Sequence, residues 1–118
     1  MIRKEMRTSF LGIRRKDRLM VKHVILWQLQ EMDAEKKAEV KKGIKNGLEN
    51  LQGKIPGLLE IKVITEGLDS SNADVMLDSS FESEEALKGY AVHPEHVKVA
   101  DGKVRPYTQT RVCMDYYL

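Results

Sequence analysis

From residue 20 onward the chain alternates two kinds of hydrophobic pattern: short runs rich in β-branched and aromatic residues, and longer runs whose apolar residues return every third or fourth position. Lys22 to Leu29 is of the first kind and predicts a strand. Val40, Ile44, Leu48 and Leu51 recur at i, i+4, i+8 and i+11 and predict one buried helical stripe. Asp33 is placed to cap that helix, Glu35 sits near the positive end of its dipole, and Gly53 and Pro56 predict its end. A second strand is predicted for Leu58 to Glu66, with Leu59, Ile61 and Val63 on one face and Glu60 and Lys62 on the other. Gly67 to Asn72 has the composition of a hairpin loop, and a third strand is expected from Ala73 to Phe81, with Val75, Leu77 and Phe81 opposite Met76. Ser83, followed by Glu84 and Glu85, predicts the start of a second helix with Leu87, Tyr90 and Ala91 on its inner face. Pro94 ends that helix and is suited to begin a short one through Val97 and Ala100, which Gly102 should stop. Gln109 to Tyr117 predicts a fourth strand.

The order βαββαβ defines an α+β, ferredoxin-like plan with a four-stranded antiparallel sheet, and its strand order is expected to be 4-1-3-2. Helices then cover one face of the sheet only. The strands nevertheless carry apolar residues on both faces: Ile25, Trp27 and Leu29 on one, and Val24, Leu26, Met76, Val112, Met114 and Tyr116 on the other. A sheet face left to water should be polar, so the second face predicts a second cover, most simply another copy of the chain. The alternative is that these six are scattered surface residues.

Composition narrows the classes. With 118 residues, 42% of them hydrophobic and 32% charged, the chain is one ordinary globular domain, and no apolar run approaches the roughly 20 residues of a membrane helix. The net charge of +2 conceals an asymmetry, because residues 1 to 19 hold seven basic residues against two acidic ones. The body that follows is mildly acidic and unsuited to a phosphate backbone, so neither nucleic acid nor membrane is expected as a partner. The first 19 residues read as a basic, disordered extension ahead of a domain spanning 20 to 118. They lack the apolar stretch of a secretory signal. Cys113 is the one cysteine, so no intrachain disulfide forms, and the expected location is the cytoplasm.

Four segments carry a family resemblance: Val21-Lys22-His23-Val24, Gly53-Lys54-Ile55-Pro56-Gly57, Phe81-Glu82-Ser83, and Tyr90-Ala91-Val92-His93-Pro94-Glu95-His96-Val97. In this order they resemble the stress-responsive dimeric α/β-barrel (Dabb) family over residues 20 to 117. The resemblance implies a homodimer in which two sheets pack face to face, with a pocket between sheet and helices in each subunit. The family holds stress-induced plant proteins and a polyketide cyclase that works without metal or cofactor, through a tyrosine and a histidine that match Tyr90 and His96. That cyclase has a further pocket histidine where Val75 stands here, and aromatic residues where Ile44 and Leu48 stand.

The residues themselves suggest a chemistry. His96 falls in the first turn of the short helix, where the positive dipole end favours the neutral ring that accepts a proton. Tyr90 lies on the face assigned to the core, where its phenol can donate to a carbonyl oxygen and stabilise an enolate. The expected strand order sets His23 near Asp115, whose carboxylate can orient either histidine. The candidate catalytic set is therefore His96, Tyr90 and Asp115, and the candidate ligand-binding set is His23, Ile25, Trp27, Leu48, Leu77 and His93. The same residues have a structural reading, in which His93 caps a helix, His96 bonds a backbone carbonyl and Tyr90 fills the core. No metal is expected, because His93 and His96 straddle a helix break instead of sharing the i, i+4 face of a zinc helix. No other cofactor is expected, and Cys113 is read as a buried, inert thiol. Three functions follow: binding of a small hydrophobic or carbonyl-containing molecule, a structural stress protein, and a cofactor-free cyclase-like or monooxygenase-like enzyme.

Overall fold

A computed structural model describes residues 19–118, so the basic extension falls outside the described residues apart from its last residue. The elements are β1 (Val21–Leu29), α1 (Ala34–Glu49), β2 (Leu58–Ile64), β3 (Val75–Phe81), α2 (Glu84–Val92), α3 (Pro94–Val99) and β4 (Thr108–Tyr117). A π-turn over Ala100–Val104 and a 3-10 turn over Arg105–Tyr107 join α3 to β4. The antiparallel strands lie in the order β2-β3-β1-β4, which is the ferredoxin-like order expected from the sequence.

Both long helices begin as their capping residues predict. Asp33 accepts from the Lys36 amide, and Ser83 from the Ala86 amide, each satisfying an amide that the first turn leaves without a helical partner. The buried stripe of α1 is Val40, Ile44 and Leu48, and it packs with Ile25, Trp27, Leu77 and Phe81 of the sheet in one core. At the end of α1, Glu49 accepts from the Val63 amide while Lys45 bonds both Glu49 and the Val63 carbonyl, fastening the helix to β2.

Four boundary or facing expectations need correction. Leu59 is exposed and Leu58 is buried, because the β2–β3 register shifts between Leu58 and Glu60 and inverts the alternation at the strand's start. Helix α1 stops at Glu49 with Asn50 as its cap, four residues before Gly53, and Leu51 is buried from the turn beyond it. Gly102 does not stop the third helix. The chain passes through it in the π-turn, whose closing bond runs from the Arg105 amide to the Ala100 carbonyl and which buries Ala100 and Val104. Ala91 is exposed, so Tyr90 is the buried residue of α2, with Ala86 and Leu87 packed at the margin of the core.

Gly57 is fixed by geometry. Its φ is +81°, and a Cβ there would lie 2.4 Å from that of Ala86, so any side chain would push α2 off the sheet.

The sheet's second face is as apolar as its sequence implies. Leu26, Ile64, Val112, Met114 and Tyr116 are exposed on it, with Val112 at 64% and Met114 at 68%, while Val24 and Met76 are half-buried between them. Among the described residues no helix is long and apolar enough to cross a membrane.

Candidate active site between the helices and strand β4

The cross-strand register determines which side chains meet beneath the helices. β1 sends His23, Ile25 and Trp27 to the helix side, and their partners on β4 are Asp115, Cys113 and Arg111. Two chambers that share lining residues open over this row. The inner one, about 180 Å³, lies under α2 and α3 and takes its apolar wall from Ile25, Trp27, Leu48, Leu77 and Val104. The outer one, about 540 Å³, lies between β4 and the outer side of α2, where Glu84 and Lys88 face Asp115 and Tyr117. His23, Leu87, Ala91 and Arg111 line both.

Tyr90 and His96 meet at the inner chamber because the chain breaks its helix between them. His93 has an extended backbone ahead of Pro94, and its ring accepts from the Glu95 amide at 3.1 Å. The new helix then folds His96 over Tyr90, with ring centroids 4.2 Å apart and planes tilted by 34°. Phe81 holds the other side of the tyrosine ring edge-on at 4.9 Å, and His23 stands edge-on at 6.0 Å.

Tyr90 is only 2% exposed, yet no group among the described residues pairs with its hydroxyl. Burial pushes the phenol well above its ordinary pKa, against a small opposing pull from the Arg111 charge, so the hydroxyl keeps its proton as a donor. The His96 Nδ1 lies 3.3 Å from the Ala91 carbonyl oxygen. A carbonyl only accepts, so Nδ1 carries the hydrogen and Nε2 bears the free lone pair. Burial lowers the pKa of His96, and the charges of Arg105, His23 and Arg111 lower it further against the Ala91 bond. The ring is therefore a neutral base beside a protonated phenol.

His23 donates from Nδ1 to Asp115 Oδ1 at 2.5 Å, and the Cys113 thiol donates to the same oxygen at 3.4 Å. Cys113 is exposed instead of buried, because β4 is an edge strand with little over it. Its thiol is nonetheless held above its ordinary pKa by desolvation, with the Asp115 bond and charge adding to it and Arg111 opposing, which disfavours the thiolate. The donor atoms of His23, Cys113 and Asp115 lie within 4.8 Å of one another, a spacing a metal ion can bridge. The hydrogen bonds onto Asp115 satisfy the cluster without one.

The structure brings His96 and Tyr90 together and pairs Asp115 with His23, but not with His96. Ile25, Trp27, Leu48 and Leu77 line the inner chamber beside His23, while His93 caps α3 and is not among the lining residues. Sequence reasoning missed Arg111, Arg105 and Leu87. For Arg111 the signal was present: it shares the alternation of Cys113 and Asp115, which places it opposite Trp27.

A crystallised dimeric protein of unknown function with a ferredoxin-like fold, from Bacteroides fragilis, is 31% identical, with 84% of this chain and 96% of that one covered and a TM-score of 0.79. The hydroxynitrile lyase of Passiflora edulis is 17% identical over 86% of this chain and 94% of its own, with a TM-score of 0.67. SnoaB, a cofactor-independent oxygenase from Streptomyces nogalater, is 12% identical over 83% and 91%, with a TM-score of 0.64. At such identities the two enzymes show a shared fold only. No curated protein matches the chain. The Stress responsive A/B Barrel Domain (Dabb) matches residues 21–118, essentially the whole folded body, and the chain belongs to that family.

Proposed function

We propose that this Dabb protein binds a small carbonyl compound with an apolar body between its sheet and helices, and that it does so as a homodimer. One observation carries the reading: the Tyr90 hydroxyl is a buried donor without a partner among the described residues, at a chamber with an apolar wall of Ile25, Trp27, Leu48, Leu77 and Val104. A buried unsatisfied donor costs about 1–3 kcal/mol, and a ligand oxygen accepting from it recovers that cost. The volume of about 180 Å³ suits a ring-sized group, since an apolar cavity of about 150 Å³ accommodates benzene.

The position of His96 supports a second reading, in which the same ligand is enolised. His96 Nε2 takes a proton from the carbon next to the carbonyl, and the C–H electron pair moves to form an enolate. Tyr90 donates a hydrogen bond to its oxygen, and the proton later returns from His96 to carbon. Neither step needs an oxidant or a metal.

Phenylacetone tests both readings, because it combines a ring with a carbonyl and exchangeable flanking hydrogens. Binding is read from the amide chemical shifts of a nitrogen-labelled chain, and enolisation from deuterium uptake by the ketone in heavy water. Shifts at Tyr90 and His96 that vanish in Tyr90→Phe support binding. Exchange that is accelerated by wild type and about 100-fold slower with His96→Ala supports enolisation. Equal exchange in the two proteins removes His96 from any mechanism.

A further inference from the structure

The charged residues of the cleft divide into those already committed and those that are not. Glu84 accepts from the Tyr117 hydroxyl at 2.9 Å, and Asp115 accepts from His23 and Cys113. Arg105, which reaches the inner chamber, is paired with Asp101. Arg111 and Lys88 make no ion pair among the described residues, and Arg111 alone of the two lines both chambers. Of the groups that line both chambers, the charge without an ion pair is therefore positive. It belongs to a planar guanidinium, whose paired N–H groups match the two oxygens of a carboxylate.

From this placement we infer that the carbonyl ligand also carries a carboxylate, held by Arg111, which lines both chambers, with its carbonyl and apolar body seated toward Tyr90 and His96. The inference rests on the proposal that the inner chamber is a ligand site, and it specifies the ligand class. Lys88 lines the outer chamber beside the carboxylates Glu84 and Asp115, so the anion would be held by Arg111 itself and not by a general positive field. The Arg111 charge also reaches the groups around it: it opposes the upward shifts of both Tyr90 and Cys113 and reinforces the downward shift of His96. A bound carboxylate would neutralise that charge.

Phenylacetate and phenylacetamide share a shape and differ in charge, which makes them the test pair. Both are titrated into the full chain while amide shifts are followed. Wild type should bind the carboxylate about tenfold more tightly than the amide, the gain expected of a partly screened charge-assisted pair. Arg111→Met, which keeps an apolar stem on an exposed strand position, should cut that preference to less than about twofold, and Arg111→Lys should fall between, having the charge without the fork. Equal binding of the two compounds by wild type, or a preference that survives in Arg111→Met, overturns the inference. Amide binding with shifts at Tyr90 and His96 would leave the chamber proposal standing in that case. If neither compound moves those two residues, the chamber proposal fails and the carboxylate inference fails with it.

Discussion

The imidazole of His96 lies against the phenol ring of Tyr90, centroids 4.2 Å apart, while its Nδ1 is tied to the carbonyl of Ala91. Residues six apart on one continuous helix would point to different sides. The break at Pro94 is what lets them stack, so a proline that looks like punctuation in the sequence builds the site.

The first prediction concerns that ring's protonation. Burial holds the His96 pKa below its ordinary value of 6.5, with Arg105 and Arg111 adding to the shift and the Ala91 bond opposing it. In the window between the folded value and 6.5 the unfolded chain binds a proton that the folded chain refuses, so stability there rises with pH. The contribution of the neutral ring is complete above 6.5 and is lost as pH falls toward the folded value. A titration of the His96 ring resonances should give a midpoint under 6.5, and His96→Gln should flatten the acid limb of stability against pH. A midpoint at or above the ordinary value would contradict the burial argument.

Tyr90→Phe separates structure from binding. The ring contacts with Phe81 and His96 survive, and only the unpartnered hydroxyl is lost. Removing a buried, unpaired polar group should stabilise the chain by about 1 kcal/mol, roughly 4–8 °C in Tm for a domain of this size, while abolishing carbonyl binding. Tyr90→Ala, which also empties core volume, should cost about 3–5 kcal/mol. Thermal unfolding measures both. A marked loss of stability in Tyr90→Phe would mean that the hydroxyl bonds within the protein, and its role as a ligand donor would fall.

For the His23–Asp115 pair, the two partners differ in exposure, with side chains 9% and 44% accessible. Asp115→Asn keeps an acceptor for His23 and loses only a solvent-screened charge, so its cost should stay below about 1 kcal/mol. Asp115→Ala strands the buried His23 donor and should cost about 1–3 kcal/mol. Chemical denaturation of the two variants gives the comparison. Equal costs would show that charge, and not hydrogen bonding, holds the pair.

The sequence carried the fold further than the site. The pattern of apolar residues, caps and prolines located the four strands and three α-helices, because burial on one face forces period 2 or 3.6 whatever the function. It failed where the backbone departs from ideal geometry: the register shift that exposes Leu59, and the π-turn that carries the chain through Gly102. Tyr90, His96 and the His23–Asp115 pairing were legible from one helix break and one strand order. Asp115's separation from His96 was not, since strand order fixes which residues are opposite and leaves side-chain reach across a helix open. Arg111 was passed over because a charged residue on an edge strand ordinarily belongs to solvent, and only the chambers on either side of it give its position meaning.

The exposed sheet face yields the last prediction. Leu26, Val112, Met114 and Tyr116 form a contiguous apolar strip across β1 and β4, on the face opposite the helices. Each large apolar side chain taken from water contributes about 1.5–3 kcal/mol when burial is complete, and two copies facing each other bury two such strips. Light scattering at micromolar concentration should therefore report twice the 13.5 kDa chain mass. Met114→Asp puts an unpaired charge at the middle of the strip and should shift the population to the single-chain mass, with Tyr90 and His96 undisturbed because they lie beneath the other face. A wild-type chain that remains at the single-chain mass as concentration rises would remove the second copy as cover for this face. A Met114→Asp variant as dimeric as wild type would move the interface elsewhere, to the edge of β4 that no described strand pairs, whose backbone groups offer a second way for two copies to join.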